Sequence, residues 1–350
     1  MSVSITPFGK TTAGVPVQRV VLKNDQLEVH LLTYAAVIHR ILVPDRKGEP
    51  VDVVLGYPTV PDYEVNSGDG MGAAVGRFAN RIGGAQFPLY EEIVHVTANE
   101  NGNCLHSGLH GFHHTVFAVE PTPGETDSVT MTAQSPDGTD GFPGTVDLEI
   151  QYQLVKRGLM VRYTATTDAP TVCSMTNHSY FNLNGHASGT ALGHRISVDA
   201  DAYLETDDAS IPTGRIVPVA GTPMDFNEEK TLGLDIGADY PALKQAAGYD
   251  HCYVIRDSGL RHAAWVTGPQ TGIRMEVLTT LPGMHLYSAN YLAPATPCKD
   301  DAHYQKRDAV CFETEEFPDA PNHPNFPDAT LLPNAPYSST TIYRFDLAPQ

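Results

Sequence analysis

The sequence is short of basic residues and of long apolar runs, and each shortage excludes a class of protein. Lys and Arg number 22 against 41 Asp and Glu, so the formal net charge is −19. This charge argues against a nucleic-acid backbone or an anionic membrane as partner, because both would repel it. No segment approaches the roughly 20 apolar residues that span a bilayer. The N-terminus also lacks a basic start followed by an apolar stretch, so we expect no secretory signal.

Disulfide and zinc signatures are missing as well. The five cysteines, Cys104, Cys173, Cys252, Cys298 and Cys311, are odd in number and widely spaced, and none belongs to a Cys-x-x-Cys pair. This usage predicts free thiols in a reducing compartment, not a disulfide framework or a structural zinc site. We therefore expect a cytoplasmic location.

Helical periodicity is scarce, and alternation of polar and apolar residues takes its place. The clearest case is residues 146–154, where every second residue is apolar, so one face of a strand is buried. A turn at 155–158 and a β-rich run at 159–167 complete a predicted hairpin. Further strands are predicted at 18–22, 27–32, 51–55, 94–97, 128–133, 263–267, 273–277 and 340–347.

Only residues 238–247 suggest a helix, and a short one. The 30 Gly and 27 Pro punctuate the chain as expected for many short strands joined by turns. Residues 206–235, rich in Gly, Pro and Asp, are interpreted as an ordered loop region over one sheet face. Because no repeat, low-complexity block or linker interrupts the pattern, we predict one domain over residues 1–350.

Glu313 is the first candidate for chemistry. It follows the apolar run 309–312 and so lies at the end of, or just inside, a predicted strand. Partial burial would raise the pKa of this carboxylate toward neutrality, which suits a general base. The local pattern by itself favours the alternative, a solvated side chain beside Glu315 and Glu316, because charge clusters usually lie on the surface.

Two histidines are candidates for proton transfer. His178 lies among aromatic residues, and imidazole is the side chain best suited to donate and recover a proton near neutral pH. Its alternative is a structural core histidine. His106 precedes small residues that predict a tight turn close to a ligand, and its alternative is an ordinary loop histidine. The nearby His110, His113 and His114 have no carboxylate or Cys at convincing spacing, so no metal site is predicted there.

Three polar side chains could bind the hydroxyls of a polyhydroxylated ligand. Asn80 and Arg81 offer several directed hydrogen bonds, although Arg77 could make this a structural salt-bridge region instead. Asp250 could accept two hydroxyl hydrogen bonds, or it could be a turn residue after Gly248.

Together these residues fall in five motifs whose order and approximate spacing resemble the aldose 1-epimerase (galactose mutarotase) family. The scaffold segments DGFPG, IPTG and TPMDF between the motifs resemble that family too, and the resemblance covers roughly residues 5–348. The five motifs are ANRI at 79–82, NCLHSG at 103–108, TNHSYFNL at 176–183, GYDH at 248–251 and FETEEFPDA at 312–320.

The resemblance implies an all-β fold, a large antiparallel β-sandwich (galactose mutarotase-like supersandwich) with few short helices and a substrate cleft on one sheet. It also implies a cofactor-free and metal-free isomerase that interconverts the α and β anomers of hexoses such as D-galactose and D-glucose. By this resemblance Glu313 is the general base, His178 is the general acid, and His106 assists near the ring oxygen. A monosaccharide is then the small-molecule partner, and we expect a monomer or a homodimer.

The same resemblance assigns hydroxyl binding to Asn80, Arg81 and Asp250. His285 stands where the family commonly has a substrate-contacting Gln, so it is expected to contact the sugar instead. Other departures from the family pattern are Ser107, Cys252 and Glu315. Glu315 stands in place of a second Gln and, two residues along the strand from Glu313, could raise the pKa of that carboxyl.

Two alternatives remain from the sequence. One is an epimerase specialised for another aldose or for a hexose 6-phosphate, although no evident Arg or Lys cluster near the motifs favours a phosphate. The other is a non-catalytic sugar-binding β-sandwich. The presence of both Glu313 and His178 argues against it, because a binding protein does not require that pair.

Overall fold

Antiparallel strands make up most of the regular secondary structure in this computed structural model, which describes residues 2–349. Two short helices are present, α1 (Val60–Val65) and α2 (Pro241–Gln245). The strands are β1 Ser2–Lys10, β2 Pro16–Lys23, β3 Glu28–Leu32, β4 Ile38–Pro44, β5 Pro50–Asp52, β6 Ala74–Val75, β7 Arg81–Ile82, β8 Gln86–Leu89, β9 Glu92–His95, β10 Cys104–Leu105, β11 Ala118–Pro121, β12 Ser128–Ser135, β13 Val146–Val155, β14 Gly158–Thr167, β15 Thr171–Val172, β16 Thr176–Asn177, β17 Tyr180–Phe181, β18 Arg195–Val198, β19 Ala200–Thr206, β20 Pro212–Pro218, β21 Lys230–Thr231, β22 Asp250–Ile255, β23 Arg261–Thr267, β24 Ile273–Thr279, β25 Gly283–Tyr287, β26 Val310–Glu315, β27 Thr330–Leu331 and β28 Tyr337–Leu347.

Two large sheets form the sandwich. The nine-stranded sheet has the order β11-β12-β13-β14-β28-β24-β23-β18-β21, and the six-stranded sheet has the order β17-β26-β25-β22-β19-β20. A five-stranded sheet, β1 to β5, joins consecutive strands near the N-terminus. The predicted all-β antiparallel sandwich with few short helices is thereby confirmed.

The main core lies between the two large sheets. Tyr203, Met284 and Phe312 from the six-stranded sheet share one buried cluster with Ile150 and Tyr343 from the nine-stranded sheet. Because side chains alternate along a strand, this packing directs every second residue of the six-stranded sheet away from the core. That outer face carries the polar residues described below.

The predicted hairpin is confirmed: β13 and β14 pair from Val146 with Thr167 down to Val155 with Gly158. The strands predicted at 18–22, 27–32, 128–133, 263–267, 273–277 and 340–347 also lie on observed strands. Those predicted at 51–55 and 94–97 end earlier, at Asp52 and His95. The helix predicted over 238–247 is shorter than expected, because Pro241 can only begin a helix and α2 ends at Gln245.

The interpretation of 206–235 as loop is partly wrong. It contains β20, which pairs with β19 at the edge of the six-stranded sheet, and β21, which pairs with β18. Pro and Gly in this segment suggested turns, but an edge strand tolerates proline because one row of its backbone groups has no partner strand. Strands β22 and β25 were not predicted either. Both are largely buried, so they lack the polar alternation of a half-exposed strand.

All five cysteines are free, as predicted, and all five are also buried. Within residues 2–349, neither α1 nor α2 nor any other helix has the length and apolar character required to cross a membrane.

Candidate active site

A polar cleft of about 270 Å³ opens on the outer face of the six-stranded sheet. It brings together every site residue predicted from the sequence, although these residues are spread over more than 230 positions of the chain. The predicted residues that line it are Asn80, Arg81, His106, His178, Asp250, His285 and Glu313. Residues not predicted for the site complete the lining: Gly68, Asp69, Glu100, Leu105, Tyr180, Tyr287 and Tyr291.

Strand register determines which polar groups meet on the floor of the cleft. Along β26, Phe312 points to the core while Glu313 and Glu315 share the opposite face. His285 on β25 is the direct partner of Glu313 in the neighbouring strand, and β22 begins at Asp250 on the far side of β25. Three adjacent strands therefore place two glutamates, a histidine and an aspartate side by side.

Glu313 is only 2% exposed, so the alternative of a solvated surface glutamate is wrong. Burial raises the pKa of Glu313 well above its usual range. His285 opposes this rise, and the nearby Glu315 reinforces it. The expected influence of Glu315 on the pKa of Glu313 thus has a structural basis.

His178 lies on the turn between β16 and β17, and its ring stacks on Tyr180 with centroids 5.0 Å apart. Tyr287 and His106 approach it edge-on, at 6.2 Å and 5.7 Å. Its Nε2 is 3.4 Å from Oε2 of Glu313. Burial lowers the pKa of His178 to about 4, below the near-neutral value that the sequence suggested.

Burial therefore disfavours the charged form of both His178 and Glu313. These opposite shifts favour an arrangement in which the two side chains hold one proton between them, with that proton on the carboxyl group. The 3.4 Å separation of the two side chains allows the alternative arrangement, an imidazolium beside a carboxylate, to form by proton transfer between them.

His106 occupies the predicted tight turn, with a left-handed φ of 52° followed by 70° at Ser107. The backbone N–H of Asn80 donates to Nδ1 of His106 at 3.1 Å. Since Nδ1 accepts this bond and burial lowers the pKa of the imidazole, the proton of His106 is on Nε2. Ser107, one of the departures, holds the turn in place: its Oγ accepts from Phe78 N and donates to Phe78 O.

Arg81 is held by a residue that sequence reasoning missed. Its guanidinium donates to both carboxylate oxygens of Glu100, at 2.6 and 2.9 Å, a bidentate arrangement that fixes its orientation. Arg77 forms no salt bridge with any residue of 2–349, so the alternative of a salt-bridge region is wrong. It donates to Ser135 and to the carbonyls of Pro136 and Pro143. No local signal marks Glu100, because it lies in a polar loop.

Asp250 is a strand residue, so its interpretation as a turn residue is wrong. Its Oδ1 is 2.7 Å from Nε2 of His285, whose Nδ1 is 3.4 Å from Oε1 of Glu315. Although burial works against it, these two carboxylates raise the pKa of His285 to about 10. Burial likewise opposes, but does not prevent, the lowering of the pKa of Asp250 by His285.

Aromatic side chains provide the walls of the cleft. Tyr180 and Tyr287 are buried against His178, whereas Tyr291 is 63% exposed at the rim. Tyr180 belongs to the same motif as His178, so the aromatic neighbours expected from that motif are present. Tyr287 and Tyr291 carry no sequence signal of their own, because each is brought to the cleft by strand order.

Among residues 2–349, two groups of side chains have ligand atoms close enough for a metal ion, but neither suits one. Asp52, His186 and Asp300 form one group. Lys299 and Arg40 already contact Asp52 at 2.8 and 3.0 Å and supply positive charge there. His178, Cys311 and Glu313 form the other, where burial raises the pKa of the Cys311 thiol and so opposes the thiolate that a metal requires.

Comparisons with known proteins point in one direction. The family model described as "Aldose 1-epimerase" matches residues 18–344. "Galactose mutarotase" of Mus musculus is 35% identical, with 99% of this chain and 100% of that protein covered. "Aldose 1-epimerase" of Escherichia coli K12 is 32% identical, covering 95% and 96%. The crystal structure of "galactose 1-epimerase" from Lactobacillus acidophilus superposes with a TM-score of 0.86 over the full length of both chains, at 25% identity.

Proposed function

The chain belongs to the aldose 1-epimerase family, and from that premise we propose that it interconverts the α and β anomers of free hexoses such as D-galactose and D-glucose. The observation that carries the proposal is the buried pair of His178 and Glu313, 3.4 Å apart in a polar cleft. A pyranose exposes hydroxyls on its periphery and requires proton transfer at two oxygens, O1 and the ring oxygen. The cleft offers hydrogen-bonding groups that can bind the hydroxyls and an acid–base pair that can carry out the two proton transfers.

In the proposed reaction Glu313 accepts the proton of the C1 hydroxyl while His178 donates a proton to the ring oxygen. The C1–ring-oxygen bond breaks, C1 becomes an aldehyde, and rotation about C1–C2 presents its other face. Ring closure then reverses both proton transfers. Because the two anomers differ little in energy, each group must return a proton as readily as it takes one.

The charge state of the pair fits this cycle. The reactive arrangement, an imidazolium and a carboxylate, carries the same single proton as the neutral arrangement that burial favours. His285 and Arg81 both act to lower the pKa of Glu313, and so they make the reactive arrangement easier to reach. His106, protonated on Nε2, is proposed to donate a hydrogen bond near the ring oxygen.

Hydroxyl binding is assigned to Asn80, Arg81 and Asp250, with His285 beside them on the floor of the cleft. A hexose 6-phosphate is a poorer candidate. Among the described lining residues Arg81 is the one Arg or Lys, and its guanidinium is already paired with Glu100. His285, whose pKa is raised, lies between the acids Asp250 and Glu315. We also propose one domain over residues 1–350, a cytoplasmic location supported by the free buried thiols, and a monomer or homodimer.

Polarimetry on freshly dissolved α-D-galactose, with metal chelator present, tests the activity directly. We expect the protein to accelerate relaxation of the optical rotation without changing its final value, because a catalyst leaves the equilibrium unaltered. The same measurement with glucose, xylose and arabinose would rank the aldoses. An unchanged rate with all four sugars, from folded protein, would contradict the proposal and favour a sugar-binding protein.

The pH dependence of kcat/KM should be bell-shaped, since it reports the ionisation of the free enzyme. Activity is expected to rise through about pH 4, where the doubly protonated pair loses the first of its two protons, the one on His178. It should fall again at a pH above the usual pKa of a glutamate, where the pair loses its remaining proton and with it the acid. A rate that stays constant from pH 3 to 10 would contradict the shared proton.

A further inference from the structure

Two departures from the family pattern meet in the floor of the cleft. His285 and Glu315 each stand where the resemblance leads us to expect Gln, and they lie on the adjacent strands β25 and β26. With Asp250 they form a chain: Asp250 Oδ1 is 2.7 Å from His285 Nε2, and His285 Nδ1 is 3.4 Å from Glu315 Oε1. His285 is 6% exposed and Glu315 is fully buried. A pair of neutral amides has thus been replaced by a histidine held between two acids.

The two carboxylates that flank His285 favour its charged form. A neutral imidazole has one N–H and could donate to only one of the two carboxylates, whereas an imidazolium donates to both. The amide Nδ2 of Asn80 is 3.1 Å from Nδ1 of His285 and 3.3 Å from Oε1 of Glu315. Nδ2 can donate to Glu315 whatever the charge of His285, but its contact with Nδ1 is a hydrogen bond only when the imidazole is neutral, so the imidazolium requires the amide to turn away from Nδ1. The two flanking acids act in the opposite sense: they raise the pKa of His285 despite its burial, which favours the imidazolium.

Glu315 in turn depends on His285. Its other oxygen, Oε2, is buried and has no hydrogen-bond partner within residues 2–349. Burial raises the pKa of Glu315, and the hydrogen bond and charge of His285 oppose that rise. A carboxylate without full hydrogen bonding is costly to bury unless a cation lies next to it. Either residue alone would therefore be unfavourable in this position.

The position of the cation matters because His285 pairs directly with Glu313 across β25 and β26. Among charged neighbours of Glu313, His285 has the largest effect in favour of ionisation, and Glu315 has the largest effect against it. Asp250 adds a smaller opposing effect and Arg81 a smaller favourable one. The other ionisable groups close to this floor are His178, His106, Tyr180 and Tyr287 in the cleft lining, Cys252, which pairs with His285 across β22 and β25, and Cys311, which lies near Glu313.

Building on the proposed function, we propose that His285 and Glu315 act as one positioning unit: Asp250 and Glu315 hold His285 as a cation beside Glu313, and this cation sets how readily the base ionises. Each replacement for Gln then requires the other. Glu315 alone would keep Glu313 protonated, and His285 alone would have a single acid to hold its charge.

A double-mutant cycle tests the proposal, with His285→Gln, Glu315→Gln and the double variant assayed by polarimetry across pH. H285Q removes the cation but leaves Glu315, so the pKa of Glu313 rises and its carboxylate form becomes rare. We expect kcat/KM to fall by roughly 10-fold to 1,000-fold, the range given by the pKa shift from one nearby charge. The alkaline limb of the profile should move to higher pH at the same time, because His178 and Glu313 then lose their last proton only at a higher pH.

Adding E315Q to H285Q should restore at least ~10-fold of this loss and return the alkaline limb toward its original pH. A merely structural role would lower activity without moving the limb and without rescue. The proposal is overturned if the H285Q loss is equal in the two backgrounds. Glu276→Gln is the matched control, because Glu276 is a buried glutamate 3.0 Å from His262 on the nine-stranded sheet, and it should leave the profile unchanged.

The charge of His285 can be measured without any activity. In ¹⁵N-histidine-labelled protein, the H285Q spectrum identifies the His285 signals by their disappearance. We expect wild-type His285 to carry protons on both ring nitrogens at pH 8, and E315Q to lose one of them at a lower pH than wild type. A neutral His285 at pH 8 overturns the inference even if the protein is an active mutarotase. An inactive wild type with a charged His285 would instead contradict the proposed function.

Discussion

Glu313→Gln is expected to abolish measurable turnover and to leave the fold intact. The amide has nearly the same shape as the carboxyl group but cannot accept the proton of the C1 hydroxyl. General-base catalysis commonly contributes about 10²–10⁴-fold to a rate, and here the loss of Glu313 also removes the group that shares a proton with His178 (3.4 Å away). Polarimetry with α-D-galactose should therefore show a rate close to that of buffer.

The free energy of unfolding should change little in this variant, or increase. Burial raises the pKa of Glu313, which means that this site disfavours a charged carboxylate, so the neutral amide of Gln should be tolerated there at least as well. Thermal unfolding of wild type and E313Q checks this. Glu276→Gln, already the control for Glu315, serves here too, since it is the same substitution at a buried site on the other sheet. If E313Q retained near wild-type activity, the general base would have to be sought elsewhere.

His178→Asn should lower kcat by about 10²–10⁴-fold, because asparagine can hydrogen-bond to the ring oxygen but cannot give it a proton. The substitution also removes the ring that stacks on Tyr180 at 5.0 Å, so some loss of substrate positioning is expected. Since Glu313 would no longer share its proton with an imidazole, the bell-shaped pH profile should lose one of its two limbs. Rate measurements from pH 3 to 10 check both effects.

His113→Asn is the matched control for that variant. His113 is a buried histidine whose ring lies 6.2 Å from that of His106, yet it does not line the cleft. We expect it to change stability more than kcat. Galactose titrated into H178N, followed by calorimetry, should still show binding through the hydroxyl-binding residues. Unchanged kinetics in H178N would remove His178 from the acid role.

Local patterns and motif order differed in what each could predict. Alternation at residues 146–154 identified β13 and its hairpin. A strand with one solvent-exposed face has alternating polar and apolar residues, so its burial pattern is visible in the local sequence. Strands β22 and β25 were missed for the opposite reason, since both are largely buried. These strands carry Asp250 and His285. Both were predicted as site residues from the resemblance to a known family and not from local patterns.

The burial of the acidic residues and the pKa of the histidine in the site could not be predicted from the local sequence. The local sequence from Glu313 to Glu316 favoured a solvent-exposed cluster of acids, yet Glu313 and Glu315 are buried. The sequence suggested that His178 titrates near neutrality, but burial lowers its pKa to about 4. No sequence feature predicted Glu100 or Tyr291 as a site residue, because the proximity of Glu100 to Arg81 and of Tyr291 to the cleft arises only from folding.

The sequence by itself determined the β class, the hairpin, the free thiols and seven of the residues that line the cleft, because alternation, cysteine spacing and motif order are properties of the chain as written. Only the tertiary structure decided that Glu313 and His178 are buried 3.4 Å apart and that two of the departures, His285 and Glu315, meet beside Asp250. Those facts depend on which strands are neighbours and on how much water the packing removes. Distances and desolvation of this kind arise between segments far apart in the chain, so no local pattern encodes them.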